Sequence, residues 1–172
     1  EENQYDLAPY LPALYDPDSP GCFVSFPVPE FRFDEHNDQI IRDYQEFLTR
    51  LYVDNHLIPL TRFCEKHHIN MRYQTSYGKD LELAQTAMYV TIPETETLYG
   101  GDILDFYRLQ AGSMHLSGKQ IYSIEASAEM NGRGNGGVNS GNYQQTWGNQ
   151  LWHIQRAFSC CVNQAVFHGY SY

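Results

Sequence analysis

The sequence predicts an α/β fold of parallel strands, of the (β/α)8 TIM-barrel type, with this chain supplying the C-terminal half of the barrel. Three observations carry that prediction. From residue 34 onward, short apolar runs alternate with segments of helical period, the order expected of a parallel sheet with right-handed crossovers. Each run is closed by a polar side chain, Gln74, Glu94, Glu125 or His168. A doubly wound sheet fits the same alternation, but polar strand ends favour a barrel, whose mouth collects side chains from several strands. Third, only four strands are firm, with a fifth near Cys22 to Phe26, whereas closure needs eight strands and about 250 residues. The chain therefore reads as a single α/β unit over 1–172, part of a larger barrel domain, whose open sheet edges must be covered by the remainder of the barrel.

The elements follow in order. Residues 1–33 form a Pro-rich loop or arm, because Pro9, Pro12, Pro17, Pro20, Pro27 and Pro29 forbid a long helix. The strand-helix units occupy 34–172. Asp34 is a plausible N-cap, and Ile40, Ile41, Tyr44, Phe47, Leu48 and Leu51 recur at helical spacing. Pro59 starts a second helical piece that ends near His67, giving one long or kinked helix over about 35–67. Ile69 to Ser76 alternates apolar and polar residues as a strand does, with a turn at Tyr77-Gly78 and a short helix from Asp80. A strand is expected over 87–92. A helix follows from Asp102 through about Leu116, with Ile103, Tyr107, Gln110, Ala111 and Met114 on one face and a stop at Ser117-Gly118. The next strand covers 120–126. The last helix runs from about 143 to 162 with Trp147, Leu151, Ile154, Phe158 and Cys161 on one face, and delivers a strand at 165–168.

Composition bounds the partners. At 172 residues and 42% hydrophobic content the chain can bury a core. Its net charge of -10 works against phosphate binding, which rests on clustered Lys and Arg, so no nucleic acid partner is expected. No apolar stretch reaches the roughly 18 residues that cross a bilayer, and Glu1-Glu2-Asn3-Gln4 lacks the character of a signal peptide. No membrane association is expected. Cys22, Cys64, Cys160 and Cys161 contain no C-x-x-C pair, which leaves zinc unsupported; they read as small buried residues or as one or two disulfides of a secreted protein.

Candidate site residues come from strand ends and alternation. Glu94 and Glu125 each close an apolar run, and paired carboxylates at barrel strand ends are the equipment of glycoside hydrolysis. Arg72 and Gln74 share a strand face, where a guanidinium and an amide can bind sugar hydroxyls or, alternatively, where Arg72 forms a buried ion pair with one glutamate. Glu96 reads as a substrate contact or a loop carboxylate. His168, beside Gly169-Tyr170, is a candidate substrate contact together with Tyr170, whereas His67, His68, His115 and His153 read as surface or packing residues. Gly132 to Gly137 contains G-x-G-x-x-G but neither directly follows a strand nor opens a helix, so it fails as a dinucleotide site; 131–142 reads as a loop over the site.

Arg72-x-Gln74-x-x-Tyr77-Gly78, Ile92-Pro93-Glu94-Thr95-Glu96, Ser123-Ile124-Glu125 and Val166-Phe167-His168-Gly169-Tyr170, in this order, resemble the catalytic barrel of glycoside hydrolase family 106, the α-L-rhamnosidases. The segment Tyr5 to Leu14 resembles a part of that barrel upstream of these motifs. The resemblance implies inverting hydrolysis of terminal α-L-rhamnosides in polysaccharide degradation, with a rhamnose-containing glycan or glycoside as substrate and a secreted or extracellular location. It gives Glu94 and Glu125 the role of activating water, places the general acid upstream of Glu1, and implies calcium near the sugar in some members; the sequence itself requires no cofactor. Two rival readings stand beside it: a retaining barrel glycosidase of β-galactosidase type, with Glu94 as acid/base and Glu125 as nucleophile, and a non-catalytic carbohydrate-binding half-barrel.

Overall fold

The computed structural model describes residues 5–14, 37–75, 81–97, 103–126 and 147–167. A 3-10 turn, Ala8–Leu14, accommodates Pro12, and the adjoining Tyr5 hydroxyl donates to Asp43 Oδ2 at 3.0 Å. Helix α1, Asn37–Tyr52, passes through one π-helical turn, Val53–Leu57, into α2, Ile58–Lys66. Pro59 accounts for the widened turn. It has no N–H for the Asn55 carbonyl four residues back, and its ring would clash with that carbonyl in a regular helix. The expected kink at Pro59 is thus a π turn within a continuous helical run.

Four strands follow: β1, Arg72–Tyr73; β2, Ile92–Glu96; β3, Ser123–Ala126; and β4, Gln164–Phe167. All are parallel and stand in chain order, β1-β2-β3-β4. Helix α3, Leu83–Thr86, ends in a 3-10 turn at Ala87–Tyr89; α4 is Leu104–Leu116 and α5 is Trp147–Phe158. The α/β class with a parallel sheet therefore holds, while the described residues form an open four-stranded sheet and not a closed barrel.

One strand lies elsewhere than its apolar run suggests. Residues 87–92 were expected to be extended, but Ala87–Tyr89 completes the α3 helical turn, and the ladder begins only where the Ile92 N–H meets the Met71 carbonyl at 2.9 Å. Pro93 is no obstacle, since pairing with β3 starts at Glu94 and the missing proline N–H falls just before that ladder. Glu94 consequently sits in the middle of its strand. The expected strand over Ile69 to Ser76 also shrinks, to Arg72–Tyr73.

Helices α2, α4 and α5 end in one repeated device. His68, Gly118 and Cys161 have φ of 57, 67 and 71°. The following N–H groups of Ile69, Lys119 and Val162 reach back to the carbonyls of Cys64, Met114 and Ala157, the Schellman arrangement that satisfies the last helical carbonyls. Each cap turns the chain toward the next strand within a few residues, as the Ser117-Gly118 stop led one to expect.

Strand alternation and register sort the side chains. Tyr73, Pro93, Thr95, Ile124 and Ala165 share one face. On that face Tyr107, Ala111 and Met114 of α4 and Ala157 of α5 pack with Ile124 and Ala126, while Leu60 and Cys64 of α2 pack in the neighbouring cluster with Tyr73. These three helices therefore lie on the same side of the sheet. Helix α5 is rotated from the expected orientation. Trp147 is 74% exposed, and Leu151, Phe158 and Cys161 are exposed too, while His153, Ala157 and Cys160 are buried. Small residues allow close approach to Tyr122 and Ile124, with Ile154 of the expected face packed beside them, while Trp147, Leu151 and Phe158 are left on the outer face.

Candidate active site

The other sheet face is polar. Register and alternation put Arg72, Ile92, Glu94, Glu96, Ser123, Glu125, Gln164 and Val166 on it, and Gln74, two residues beyond Arg72, continues the row. Glu94 and Glu96 are only 6% and 5% exposed. A carboxylate buried to that degree must be met by donors, and for Glu94 the structure supplies three. Arg72 Nε stands 3.1 Å from Oε2, Ser123 Oγ donates to the same oxygen at 2.8 Å, and Gln74 Nε2 lies 3.4 Å from Oε1. The alternative raised for Arg72, an ion pair with a glutamate, is the contact observed.

Gln74 joins the two glutamates. Its Nε2 also donates to Glu125 Oε2 at 2.6 Å. Both carboxylate oxygens stand on one nitrogen, so they lie at most about 6 Å apart. The two carboxyls differ in surroundings: Glu94 is buried under an arginine, a serine and an amide, whereas Glu125 is half-buried. Such inequality lets two like groups take different chemical roles. Glu96 stands opposite Glu125 in the register, so the acidic face extends one level further along the strands.

Behind the sheet, Tyr73 anchors β1 to the π turn. Its hydroxyl lies 2.8 Å from His56 Nε2 and accepts from Tyr52 at 3.5 Å, and His56 stacks on Tyr52 with ring centroids 5.2 Å apart. Burial, and then the Tyr73 contact, push the Tyr52 phenol well above its ordinary range. Because Tyr73 is held on the helix side, its neighbours Arg72 and Gln74 face the carboxylates.

Ser123 is the site residue that sequence reasoning missed. Its signal was there, a hydroxyl two positions before Glu125 and hence on the same face, but its partner follows only from the register with Glu94. His168, Tyr170, the loop 131–142, Tyr77-Gly78 and the segment Cys22 to Phe26 lie outside the described residues. His67, His68 and His115 are exposed and His153 is buried in packing, both within the expected range. Cys64, Cys160 and Cys161 are free thiols. Among the described residues no three His, Cys, Asp or Glu side chains converge as a group that could hold a metal ion. No described helix is long and apolar enough to cross a membrane. A separate concavity of about 140 Å³, lined by Tyr5, Tyr10, Gln39 and Ile40, shares no residue with the carboxylate cluster. No family model, curated protein or solved structure matches this chain.

Proposed function

We propose that this chain carries the carboxylate pair of a barrel-type glycoside hydrolase, acting on α-L-rhamnosides outside the cell. The observation that carries the reading is the Gln74 bridge: two glutamates from adjacent parallel strands, drawn to one amide nitrogen, on the sheet face opposite the helices. The barrel architecture is supported by strands in unbroken chain order with helices on one side, the layout of a singly wound sheet whose polar face turns inward. The remaining strands would then be the partner that covers the edges of β1 and β4. The rhamnoside preference rests on the four motifs around Arg72, Glu94, Glu125 and His168.

In the hydrolytic step, a water proton passes to a carboxylate as the water oxygen bonds to the anomeric carbon. The leaving oxygen takes a proton from an acid. Inverting pairs that flank the sugar stand about 6.5 to 9.5 Å apart, whereas Glu94 and Glu125 bring one oxygen each to the same side-chain nitrogen. In the inverting reading these two therefore share the activation of one water, Glu125 as the less enclosed base and Glu94 as its fixed neighbour, with the acid supplied elsewhere. Glu96, His168 and Tyr170 are assigned to the sugar. The short separation favours a second reading, in which the pair works by the retaining route at about 5 to 5.5 Å, with Glu125 attacking the anomeric carbon and Glu94 serving as acid and then base.

The test is turnover of aryl α-L-rhamnosides and aryl β-galactosides by the wild-type chain and Glu125→Gln, with sugar binding followed by calorimetry. Loss of a general base costs about 10² to 10⁴ in rate, so turnover should fall by that factor while binding persists. Equal rates for the two proteins would remove Glu125 from the chemistry. Sugar binding by a wild-type chain with no turnover would leave the carbohydrate-binding reading.

A further inference from the structure

We infer that Ser123 is a positioning residue, whose buried hydroxyl straps Glu94 to β3, the strand that carries Glu125. The kinetic consequence rests on the glycosidase reading, but the geometry stands alone. In the register Ser123 is the direct cross-strand partner of Glu94, and it precedes Glu125 by two residues, so both stand on the same face of β3. Ser123 is fully buried. Its Oγ donates to Glu94 Oε2 at 2.8 Å, and a hydroxyl that gives its one proton to a carboxylate has no donor left for a sugar.

The donors to Glu94 come from two sides. Arg72 Nε, 3.1 Å from Oε2, and Gln74 Nε2, 3.4 Å from Oε1, belong to β1 and the residues just beyond it. Among the described residues, Ser123 is the one donor that reaches Glu94 from β3. A carboxylate drawn from both neighbouring strands stays over β2, whereas without the hydroxyl the two donors that remain both pull toward β1 and away from Glu125. The same contacts divide the oxygens of Glu94. Oε2 receives the two short contacts and Oε1 only the one at 3.4 Å, so Oε1 keeps lone-pair capacity for a water or a sugar hydroxyl. Under the glycosidase reading, the strap sets how Glu94 stands toward Glu125, the relation on which the stereochemical route depends.

The experiment compares the full chain as wild type, Ser123→Ala and Ser123→Thr. Alanine removes the hydroxyl and little else; threonine keeps it. Crystal structures should show the Glu94 carboxylate about 1 Å or more nearer β1 in Ser123→Ala, still in contact with Arg72, and back in its wild-type place in Ser123→Thr. A misplacement of about 1 Å can cost on the order of 100-fold in rate. Accordingly, kcat for aryl glycosides should fall about 100-fold in Ser123→Ala with KM within about twofold, and recover in part in Ser123→Thr. A Glu94 carboxylate unmoved in Ser123→Ala overturns the inference while leaving the glycosidase reading to wild-type turnover. A raised KM with unchanged kcat overturns it as well, because that is the signature of a lost substrate contact, and so does a lowered melting temperature with both constants unchanged, which marks packing alone. If the wild type hydrolyses no glycoside but Glu94 moves as expected, the glycosidase reading fails and the strap stands. Should Ser123→Ala fail to fold, the wild-type crystal structure still decides: a Ser123 Oγ beyond about 3.5 Å from both Glu94 oxygens is no hydrogen bond and overturns the inference, and one within that distance of Oε2 supports it.

Discussion

Arg72→Met isolates the electrostatic support of the buried carboxylate. Methionine keeps most of the apolar stem and removes the guanidinium, leaving Glu94, with its side chain 8% exposed, without its countercharge. Breaking a buried ion pair from one side costs about 3 to 5 kcal/mol. Here the Arg72 side chain is 37% exposed, so solvent screens the pair and the figure must be discounted. Ser123 and Gln74 also remain as donors. A loss of about 2 kcal/mol is therefore expected, close to the worth of one hydrogen bond to a charged group and equivalent to roughly a 30-fold drop in the folding constant. Urea unfolding followed by tryptophan fluorescence measures it, and the midpoint should fall with the slope unchanged. The double variant Arg72→Met/Glu94→Gln removes both charges and should recover more than half of the loss. A single-variant cost below about 0.5 kcal/mol, or a double variant no more stable than Arg72→Met, would refute the argument that Arg72 is there to compensate Glu94.

Other outcomes follow from the same geometry. Glu96→Gln should raise KM and leave kcat near wild type if Glu96 only orients the sugar; a kcat fall matching that of Glu125→Gln would place it in the chemical step. Cys161 occupies a left-handed conformation at φ 71°. Relief of about 1 to 2 kcal/mol of strain, offset by about 0.5 to 1 kcal/mol of backbone entropy, should make Cys161→Gly more stable by up to about 1 kcal/mol. Gly118→Ala should lose about as much, since nothing lies within 4 Å of the added methyl and the cost is conformational; unchanged melting temperatures in both would dismiss the cap argument. The Gln164 N–H bonds to Tyr122, so by alternation the Ala165 and Phe167 N–H groups face the edge of β4 that no other described strand pairs, and exposed Phe167 stands on that strand. The chain alone should self-associate in size-exclusion chromatography with light scattering. A monodisperse 19.9 kDa species would mean that its edges need no partner.

The parts of the structure that sequence reasoning reached are those governed by local pattern. The helix ending at Leu116 and the stop at Ser117-Gly118 follow from period and from the tolerance of glycine for positive φ. The parallel order follows from helices that must return the chain between strands. What local pattern could not give is which apolar residues pair. Ala87 to Ile92 has strand composition, yet Ala87–Tyr89 remains helical and the strand passes through Pro93, a residue that seemed to end it. Helix α5 offered two faces, and its small residues together with Ile154, not Trp147, Leu151 and Phe158, meet the sheet. The glutamates were legible as polar breaks in apolar runs. Their clamps were divided: Arg72 and Gln74 were visible by alternation, but Ser123 became a partner of Glu94 only through a register linking residues far apart in the chain.

The pairing of Glu94 with Glu125 as a hydrolytic site is tested most directly by following the first-formed sugar by proton NMR as wild-type protein cleaves an aryl α-L-rhamnoside. The inverting account, with the pair sharing one water, predicts that the β-anomer appears first and then mutarotates. An α-anomer formed first would contradict that account and assign the pair to the retaining route, and the absence of any released rhamnose would contradict the proposed function itself.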